Sequence, residues 1–332
     1  MVVKEIFKMN LIERIINQTI KKLDLNLKKL VVYTEAASGY YIFTPVIAAL
    51  TGADVIAFSK DSIYGTVKDI KKDLKQWAQE FRVVDKIKIV TQKNKEDISR
   101  SNIVTNSGFL RPINKNFIEM MKSSTVIALM FEKWEFRRED IDASTCKQRG
   151  IKIAGVNENH PLVDVFSYSG ILAIKLLLEA KIGIYKNRFA VLSQDKFGII
   201  IEKYLKNCGA AVVISNNPDK LLKNGIFDVI IYADYYNSIQ FSPDNFAILK
   251  KNNTRIIQFL GGLNYEQIKN NRLDIYPDQS IPAHKMAQTF ADLGPRPVIE
   301  LQSAGLKAAE ITLSNKTIDK KNQYYNFTQL VK

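Results

Sequence analysis

Polar and charged side chains follow several short apolar runs in the first half of this 332-residue chain. Arg111 stands between Gly108 and Pro112, and an arginine fork beside a glycine-containing loop suits a carboxylate or a phosphate. The alternative interpretation is an arginine that pairs with a surface acid. The candidate substrate-binding residues are Glu35, Ser38, Asn106, Ser107, Gly108 and Glu132, and Asp61, Tyr64, Trp134 and Glu135 occupy comparable positions.

Short β-rich runs and helical segments that alternate along the chain must position these side chains. This alternation is typical of a doubly wound parallel sheet, in which ligands bind at the carboxyl ends of the strands. The pattern recurs from residue 184 onward. We therefore predict an α/β fold of two Rossmann-like doubly wound parallel-sheet domains with a cleft between them. The expected domains are residues 1–158 with 297–332 returning to them, a linking helix over 159–183, and residues 184–296.

The linking segment runs from Arg137 to Ala180. Its pattern predicts a short helix that ends before Gly150, a strand over residues 151–156, and then a long helix with Pro161 in its first turn. Asn159 or His160 is the expected cap of that helix, which would be about 20 residues long. Its broad apolar face predicts burial between two bodies.

Composition restricts the partners. A length of 332 residues with 46% apolar residues suits two domains. The net charge of +14 comes from scattered lysines without an arginine-rich face, so we expect no nucleic-acid partner but steering of an anionic substrate. Two cysteines without metal-type spacing and two histidines argue against a metal site. With no signal peptide and no long apolar run, we expect a cytoplasmic protein without a membrane segment.

The run DIDASTCKQRGIKIAGVNENHPLVDVFSYSGILAIKLLLEA resembles the D-2-hydroxyacid dehydrogenase family, the formate/glycerate dehydrogenase group. In that family a DNID-x-x-A-x-x-x-GI-x-V-x-N segment leads into the helix that joins two Rossmann-like domains. The resemblance extends to element order over most of the chain. It implies contact of the substrate carboxylate with the loop Asn106 to Leu110, NAD or NADP in the second domain, and a homodimer.

The family's nucleotide fingerprint is incomplete at Ser193 to Gly198, where only the third glycine, Gly198, is present. Asp195 takes the place of the glycine that approaches the pyrophosphate. A carboxylate about 4 Å from a phosphate, at an effective dielectric of about 20, costs about 4 kcal/mol, roughly a thousandfold in affinity. The resemblance nevertheless implies a set of cofactor-binding candidates: Ser193, Gln194, Lys196, Phe197, Gly198 and Asn216.

The catalytic positions of the family are also only partly filled. Leu260 stands where the family has an arginine, and Gln279 stands where it has a glutamate. His284 lies near the position of the catalytic histidine, and imidazole is the side chain that titrates near neutral pH. If residues 281–288 form a helix, Lys285 and Gln288 share its face and join Arg111 in an anion-binding cleft. The catalytic candidates are His284, Arg111 and Lys285.

Two functional interpretations remain open. The first is an oxidoreductase-like enzyme that acts on a small anionic metabolite with NAD or NADP. The second is a non-redox enzyme or a ligand-binding protein that keeps the two-lobed fold without NAD. The replacements at Asp195, Leu260 and Gln279 favour the second interpretation, and the retained domain order favours the first.

Overall fold

The computed structural model describes residues 2–314 and 319–331, with side chains from Leu11 onward. The chain divides into two compact units. Unit 1 comprises Met1–Val165 and Gly294–Lys332, and unit 2 comprises Phe166–Leu293. The C-terminal segment therefore belongs to the same unit as the first half of the chain.

Both units are built from alternating strands and helices. The strands are β1 (Val31–Glu35), β2 (Asp54–Phe58), β3 (Ile87–Val90), β4 (Ile103–Thr105), β5 (Val126–Ala128), β6 (Lys152–Val156), β7 (Arg188–Leu192), β8 (Ala211–Ser215), β9 (Val229–Tyr232), β10 (Arg255–Gln258), β11 (Ile275–Tyr276) and β12 (Thr328–Val331). The α-helices are α1 (Val2–Leu23), α2 (Phe43–Leu50), α3 (Val67–Glu80), α4 (Lys95–Arg100), α5 (Lys115–Met120), α6 (Ala143–Gln148), α7 (Tyr168–Glu179), α8 (Lys196–Asn207), α9 (Pro218–Lys223), α10 (Pro243–Lys251), α11 (Tyr265–Asn270) and α12 (Pro295–Ser314).

Unit 1 contains a sheet that, over the described residues, has seven strands in the order β12-β6-β5-β4-β1-β2-β3. β12 pairs antiparallel with β6, and the other six strands are parallel. The parallel strands follow the order 3-2-1-4-5-6, which is the strand order of dinucleotide-binding sheets. The order reverses between β1 and β4, so the ligand crevice of unit 1 is expected where those two strands end.

The core of unit 1 forms because its strands present apolar side chains on both faces, as parallel strands covered by helices do. Tyr33, Val104 and Ile127 from three adjacent strands share one buried cluster with Phe117 of α5. α12 packs on the sheet so closely that a Cβ added to Gly305 would lie 2.6 Å from a Met130 sulfur. The rigid sheet thus fixes the positions of the loops at its carboxyl edge.

Unit 2 contains a parallel sheet with the order β11-β10-β9-β7-β8 over the described residues. In this sheet the strand order is 2-1-3-4-5, and it reverses between β7 and β9. The predicted α/β fold with two parallel-sheet domains is confirmed. Which of the two sheets carries the dinucleotide-binding order was not predictable from the alternation of elements.

The predicted long helix is shorter than expected. α7 has 12 residues and begins at Tyr168, not near His160. The intervening segment turns because the His160 carbonyl accepts bonds from the Val163 amide at 2.7 Å and the Asp164 amide at 3.0 Å. Asp164 then adopts a left-handed conformation with φ of 48°, which interrupts a helix. His160 itself is buried, and burial lowers the pKa of its imidazole although a bond with the Tyr325 backbone raises it.

Gly261, after β10, lies where two loops of unit 2 approach each other. A Cβ at this position would lie 2.2 Å from the Pro282 carbonyl oxygen and 2.4 Å from that of Ile281, and neither backbone can move freely. We expect Gly261→Ala to destabilise unit 2 by about 1–3 kcal/mol, measured as a lower urea midpoint by circular dichroism. Gly183→Ala is the control, since its Cβ would meet only Asn187 Nδ2 at 4.0 Å. Equal midpoints for the two variants would contradict this packing.

Candidate functional site

The strand reversal of unit 1 brings Glu35, at the end of β1, against the loop that follows β4. Glu35 is only 6% exposed, and its Oε2 accepts a hydrogen bond from the Phe109 amide at 2.8 Å. A Cβ added to Gly108 would lie 3.7 Å from the same oxygen. The structure therefore joins residues that are far apart in sequence into one corner of the sheet edge.

The Glu35 carboxyl has an environment suited to proton transfer. Burial raises its pKa, and the Phe109 amide, Arg111 and Lys60 partly offset this effect by favouring the ionised form. A buried carboxyl beside cations can change its protonation state with small changes in its surroundings. Glu35 can thus act as a general acid or base toward a group bound at this edge.

Arg111 is positioned by its own loop. Its Nε donates to Asn106 Oδ1 at 3.0 Å, and Nη2 donates to the Asn106 carbonyl at 2.8 Å. Its Nη1 has no hydrogen-bond partner among the described residues. The guanidinium carbon lies 5.6 Å from the centroid of the Phe131 ring. Burial lowers the pKa of the Arg111 guanidinium. One edge of the guanidinium is therefore held, and the other can take an oxyanion.

Two arginines share a single carboxylate beside this loop. Asp140 Oδ2 lies 3.4 Å from Arg111 Nε and 2.9 Å from Arg137 Nη2. Asp140 is 9% exposed, so Arg111 pairs with a buried acid and not with a surface one. The three side chains carry a net positive charge, which favours an anionic ligand.

Lys60 and Lys93, which the sequence interpretation did not include, complete the cationic edge. Lys60 Nζ lies 5.6 Å from the Phe109 ring centroid, next to the Glu35 contact. Lys93 Nζ donates to the Leu110 carbonyl at 2.8 Å, and burial together with Lys60 lowers its pKa. Both lysines lie just after the ends of β2 and β3, and this strand-end position is the signal that could have identified them.

Ser107 and Ser38 flank the corner. Ser107 is 7% exposed, and its Oγ lies 2.8 Å from Thr105 Oγ1. Thr105 Oγ1 in turn lies 2.8 Å from Thr34 Oγ1. Ser38 precedes a 3-10 helix over Gly39–Ile42, and its side chain makes no capping bond. Ser107 is thus fixed by hydroxyl contacts, whereas the Ser38 side chain is not tied to the helix that follows.

Glu132 lies in a different hydrogen-bond network. It is fully buried, its Oε2 accepts a bond from Trp134 Nε1 at 2.5 Å, and its Oε1 accepts from the Glu158 amide and Gln329 Nε2 at 3.3 Å. Gln329 is in β12, so this network joins β12 to the segment that follows β5. The contacts indicate a structural role for Glu132.

In unit 2, Asp195 caps the N-terminus of α8, the position at which the resembled family binds pyrophosphate. Its Oδ1 accepts the Phe197 amide at 2.9 Å, and its Oδ2 accepts the Tyr235 amide at 2.8 Å, across the reversal between β7 and β9. Burial raises the pKa of Asp195; the Tyr235 and Phe197 amides lower it, and Asp234 raises it further. A phosphate at the start of α8 would compete with this carboxyl for the same donors.

The other fingerprint residues are held by contacts within unit 2. Ser193 Oγ accepts the Gly198 amide at 3.2 Å, and a Cβ on Gly198 would lie 2.7 Å from Ser193 Cβ, so close packing requires this glycine. Gln194 Nε2 donates to Asp234 Oδ1 at 3.4 Å and to Ser238 Oγ.

The aromatic and cationic neighbours of the fingerprint face the core or the surface. Phe197 is 3% exposed and packs on Phe166 with ring centroids 4.9 Å apart. Lys196 Nζ lies 5.9 Å from the Phe166 ring centroid. Asn216 lines a groove of about 630 Å³ beside β8, together with Ser193, Gln194 and Lys220.

His284 and Lys285 lie in an irregular segment, so the condition under which Lys285 and Gln288 would share a helical face is not met. The segment pairs with the loop after β10, because the Gly261 amide donates to the Lys285 carbonyl at 2.8 Å and Leu260 forms an antiparallel bridge with Met286. His284 is exposed, with φ of 62° and Nδ1 2.7 Å from the Tyr235 carbonyl oxygen. Lys285 is exposed as well.

Gln288 does not share a helical face with Lys285. Its side chain accepts a bond from Lys175 at 2.9 Å and donates to Glu179 at 2.5 Å, so it is bound to α7. Leu260 is fully buried, and the exposed Gln279 contributes its backbone carbonyl to Gln258 Nε2. Asp195 lies at the start of α8, and Leu260 and Gln279 stand where the resembled family has an arginine and a glutamate. These three residues do not fit a nicotinamide dinucleotide that binds to unit 2 as it binds in the resembled family.

The cysteines and acidic side chains of the described part of the chain form no metal cluster. No group of three or more His, Cys, Asp or Glu side chains there is placed to hold a metal ion. Cys146 is buried, and burial raises the pKa of its thiol to about 12, whereas Cys208 is exposed. None of the helices in the described residues has the length and apolar character needed to cross a membrane.

Comparison with known proteins identifies the fold. No protein-family model matches the chain, and no curated protein matches it. A dipicolinate synthase structure from Bacillus halodurans is similar, with a TM-score of 0.58 and 10% identity over 88% of this chain and 100% of that chain. The dipicolinate synthase structure from Bacillus subtilis also gives a TM-score of 0.58 and 10% identity, covering 88% of this chain and 99% of that chain.

A third structure is the NAD-dependent formate dehydrogenase from Staphylococcus aureus in complex with NAD. It aligns with a TM-score of 0.48 and 10% identity over 80% of this chain and 96% of that chain. At such identities the likeness concerns the fold. The two-domain α/β fold that the resemblance of the linking segment implies is confirmed by the two dipicolinate synthase structures.

Proposed function

We propose that the chain is an oxidoreductase-like enzyme of the D-2-hydroxyacid dehydrogenase superfamily that binds a small anionic metabolite, a carboxylate or a phosphate, in unit 1. The observation that supports this proposal is the buried Glu35 carboxyl beside Arg111 and Lys60 at the strand reversal. Ligands of doubly wound sheets bind at such reversals. The metabolite therefore lies across the ends of β1 and β4.

Each residue of this corner has a separate task in the proposal. Arg111 binds the anionic group through its open guanidinium edge, and Asn106 and Asp140 hold it in place. Lys60 and Arg137 add positive charge at the rim and favour the approach of an anion. Glu35 exchanges a proton with the bound metabolite. His284 in unit 2 remains the candidate acid/base of a dehydrogenase reaction, with Lys285 beside it.

A second candidate function is a non-redox enzyme or a ligand-binding protein on the same fold. Asp195 favours it, because its carboxyl accepts the Phe197 and Tyr235 amides at the start of α8. In that case Glu35 and Arg111 serve the same anionic ligand, but no hydride is transferred. A search for turnover with and without NADH separates the two candidates.

Replacing Arg111 by alanine is expected to weaken anion binding by about 10- to 150-fold, because a hydrogen bond to a charged group contributes about 1.5–3 kcal/mol. Isothermal titration with oxalate and with inorganic phosphate measures the change. Arg138→Ala, an exposed neighbour of Arg137, is the matched control for loss of one positive charge. Similar affinities for the Arg111 and Arg138 variants, both folded by circular dichroism, would overturn the site assignment.

A further inference from the structure

We propose that the open side of β3 in unit 1 is a docking site for an extended acidic segment of another protein. The segment adds to the sheet as a further strand, and its apolar side chains enter a groove between β3 and α3. The inference goes beyond the proposed function, because it uses none of the residues around Glu35 and Arg111. We call this surface the β3 edge, and it comprises Ile87 and Ile89 of β3 with Lys71, Leu74, Lys75 and Val84 of the elements before it.

β3 is the last strand on one side of the unit 1 sheet over the described residues, whereas β12 covers the other side. The Val90 carbonyl accepts the Ser59 amide at 2.9 Å, so the backbone groups of Val90 point toward β2. Because these groups alternate in direction along a strand, those of Ile87 and Ile89 point away from the sheet. The Ile87 amide donates to the Val84 carbonyl, but no hydrogen bond within the described residues engages the Ile89 amide or carbonyl on that side. An added strand binds such unpaired groups.

The groove beside this strand is apolar at its base and has a volume of about 340 Å³. Leu74 is buried, Ile87 and Ile89 are half-buried, and Val84 is exposed. Ile87 and Ile89 are two positions apart in β3, so both side chains lie on the same face of the sheet, next to α3. Apolar side chains of an added strand that point to this face are removed from water together with these four residues.

The charged residues that line the groove are both lysines. Lys71 and Lys75 are one helical turn apart on α3, and both are exposed. Neither makes an ion pair or a side-chain hydrogen bond within the part of the chain that the structure describes. The exposed acids Asp73 and Asp85 lie between the lining residues in sequence but do not line the groove. Charge complementarity therefore favours a partner segment with acidic side chains among its apolar ones.

The same charges disfavour a second copy of this chain as the occupant. Pairing of two β3 edges would bring Lys71 and Lys75 of both copies to one interface, where no acid lines the groove. Like charges on neighbouring strands destabilise their pairing, and lysines at an edge are a common protection against self-association. The β3 edge therefore repels its own copy and accepts a strand of opposite charge.

Titration of the full-length protein with a synthetic peptide tests the inference. The probe is a fluorescent peptide of about seven residues, the length of an ordinary strand, in which glutamate and valine alternate. We expect saturable binding, and affinity at least about threefold weaker in the double variant Lys71→Gln/Lys75→Gln. Lys68→Gln/Lys72→Gln is the matched control, because these exposed lysines of α3 do not line the groove. The control is expected to bind like the wild type.

Amide hydrogen exchange, followed by NMR, separates strand addition from electrostatic attraction alone. The Ile89 amide points away from the sheet, so it is expected to exchange rapidly in the free protein and about tenfold or more slowly with the peptide bound. The Val90 amide, which points toward β2, is the internal reference. A peptide of the same sequence that is N-methylated at alternate residues cannot pair along its backbone. It is expected to leave the exchange at Ile89 unchanged.

Three results would overturn the inference. The first is no binding of the peptide at millimolar concentration, or equal affinity of the two double variants, both folded by circular dichroism. The second is binding that leaves the exchange at Ile89 unchanged, since the peptide would then lie elsewhere. The third is slow exchange at Ile89 in the free protein that becomes faster on dilution, because a second copy would then cover the β3 edge. None of these results bears on the binding of anions by Arg111.

Discussion

Replacement of Glu35 by glutamine is expected to lower turnover by roughly 10²- to 10⁴-fold, the usual effect of removing a general acid or base. Glutamine keeps the size of the side chain and can still accept the Phe109 amide, which the carboxylate accepts at 2.8 Å. Binding of the metabolite is therefore expected to persist. The change is measured as kcat on the metabolite that the wild-type protein retains from a cell extract, with Glu139→Gln, an exposed neighbour in unit 1, as control.

The same variant has a second readout in the pH dependence of stability. Burial raises the pKa of Glu35 above its ordinary value, so the folded state binds this proton more tightly than the unfolded state. The stabilisation is full below the ordinary glutamate pKa and is lost as the pH rises through the folded-state pKa. The Glu35→Gln variant should therefore gain thermal stability relative to the wild type as the pH rises above the ordinary glutamate pKa. A pH-independent difference, or unchanged turnover, would rule out the assigned role.

Replacement of Asp195 by glycine is expected to create a nucleotide site in unit 2. The Asp195 carboxyl accepts the hydrogen bond of the Phe197 amide, and its negative charge would lie near a phosphate bound at the start of α8. Removal of the carboxyl is therefore expected to improve the affinity of unit 2 for ADP by roughly a thousandfold. Titration of the variant with ADP, run in parallel with the wild-type protein, measures the change. Asp195→Asn removes the charge but keeps the side chain in place, and an intermediate gain is expected. A folded Asp195→Gly protein without ADP binding would show that other residues exclude the nucleotide.

Much of the fold was predictable because its signals are local. The alternation of apolar runs and helices predicts β1 to β10, but not the two-residue β11, and it places Glu35 and Asn106 at strand ends. The order of strands was not predictable, since it depends on contacts between distant segments. β12, an antiparallel edge strand that pairs with β6, was missed for the same reason.

The candidate site was predictable by position but not by contact. The resemblance identified Asp195 as the obstacle to a pyrophosphate, but its bond to the Tyr235 amide joins residues 40 positions apart. Lys60 and Lys93 were missed because lysines are common along the whole chain. The segment around His284 is irregular, because the Gly261 amide pairs with the Lys285 carbonyl, and this contact between distant residues could not be read from the local pattern.

The central claim is that Glu35 and Arg111 in unit 1 hold a small anionic metabolite. The most direct test is equilibrium dialysis of the full-length protein against a cell extract, with mass spectrometry of the retained compounds. Wild type and Arg138→Ala are expected to retain the same carboxylate- or phosphate-bearing metabolite, and Arg111→Ala is expected to lose it. Retention of that metabolite by Arg111→Ala at the wild-type level, or no retained anion in any of the proteins, would contradict the claim.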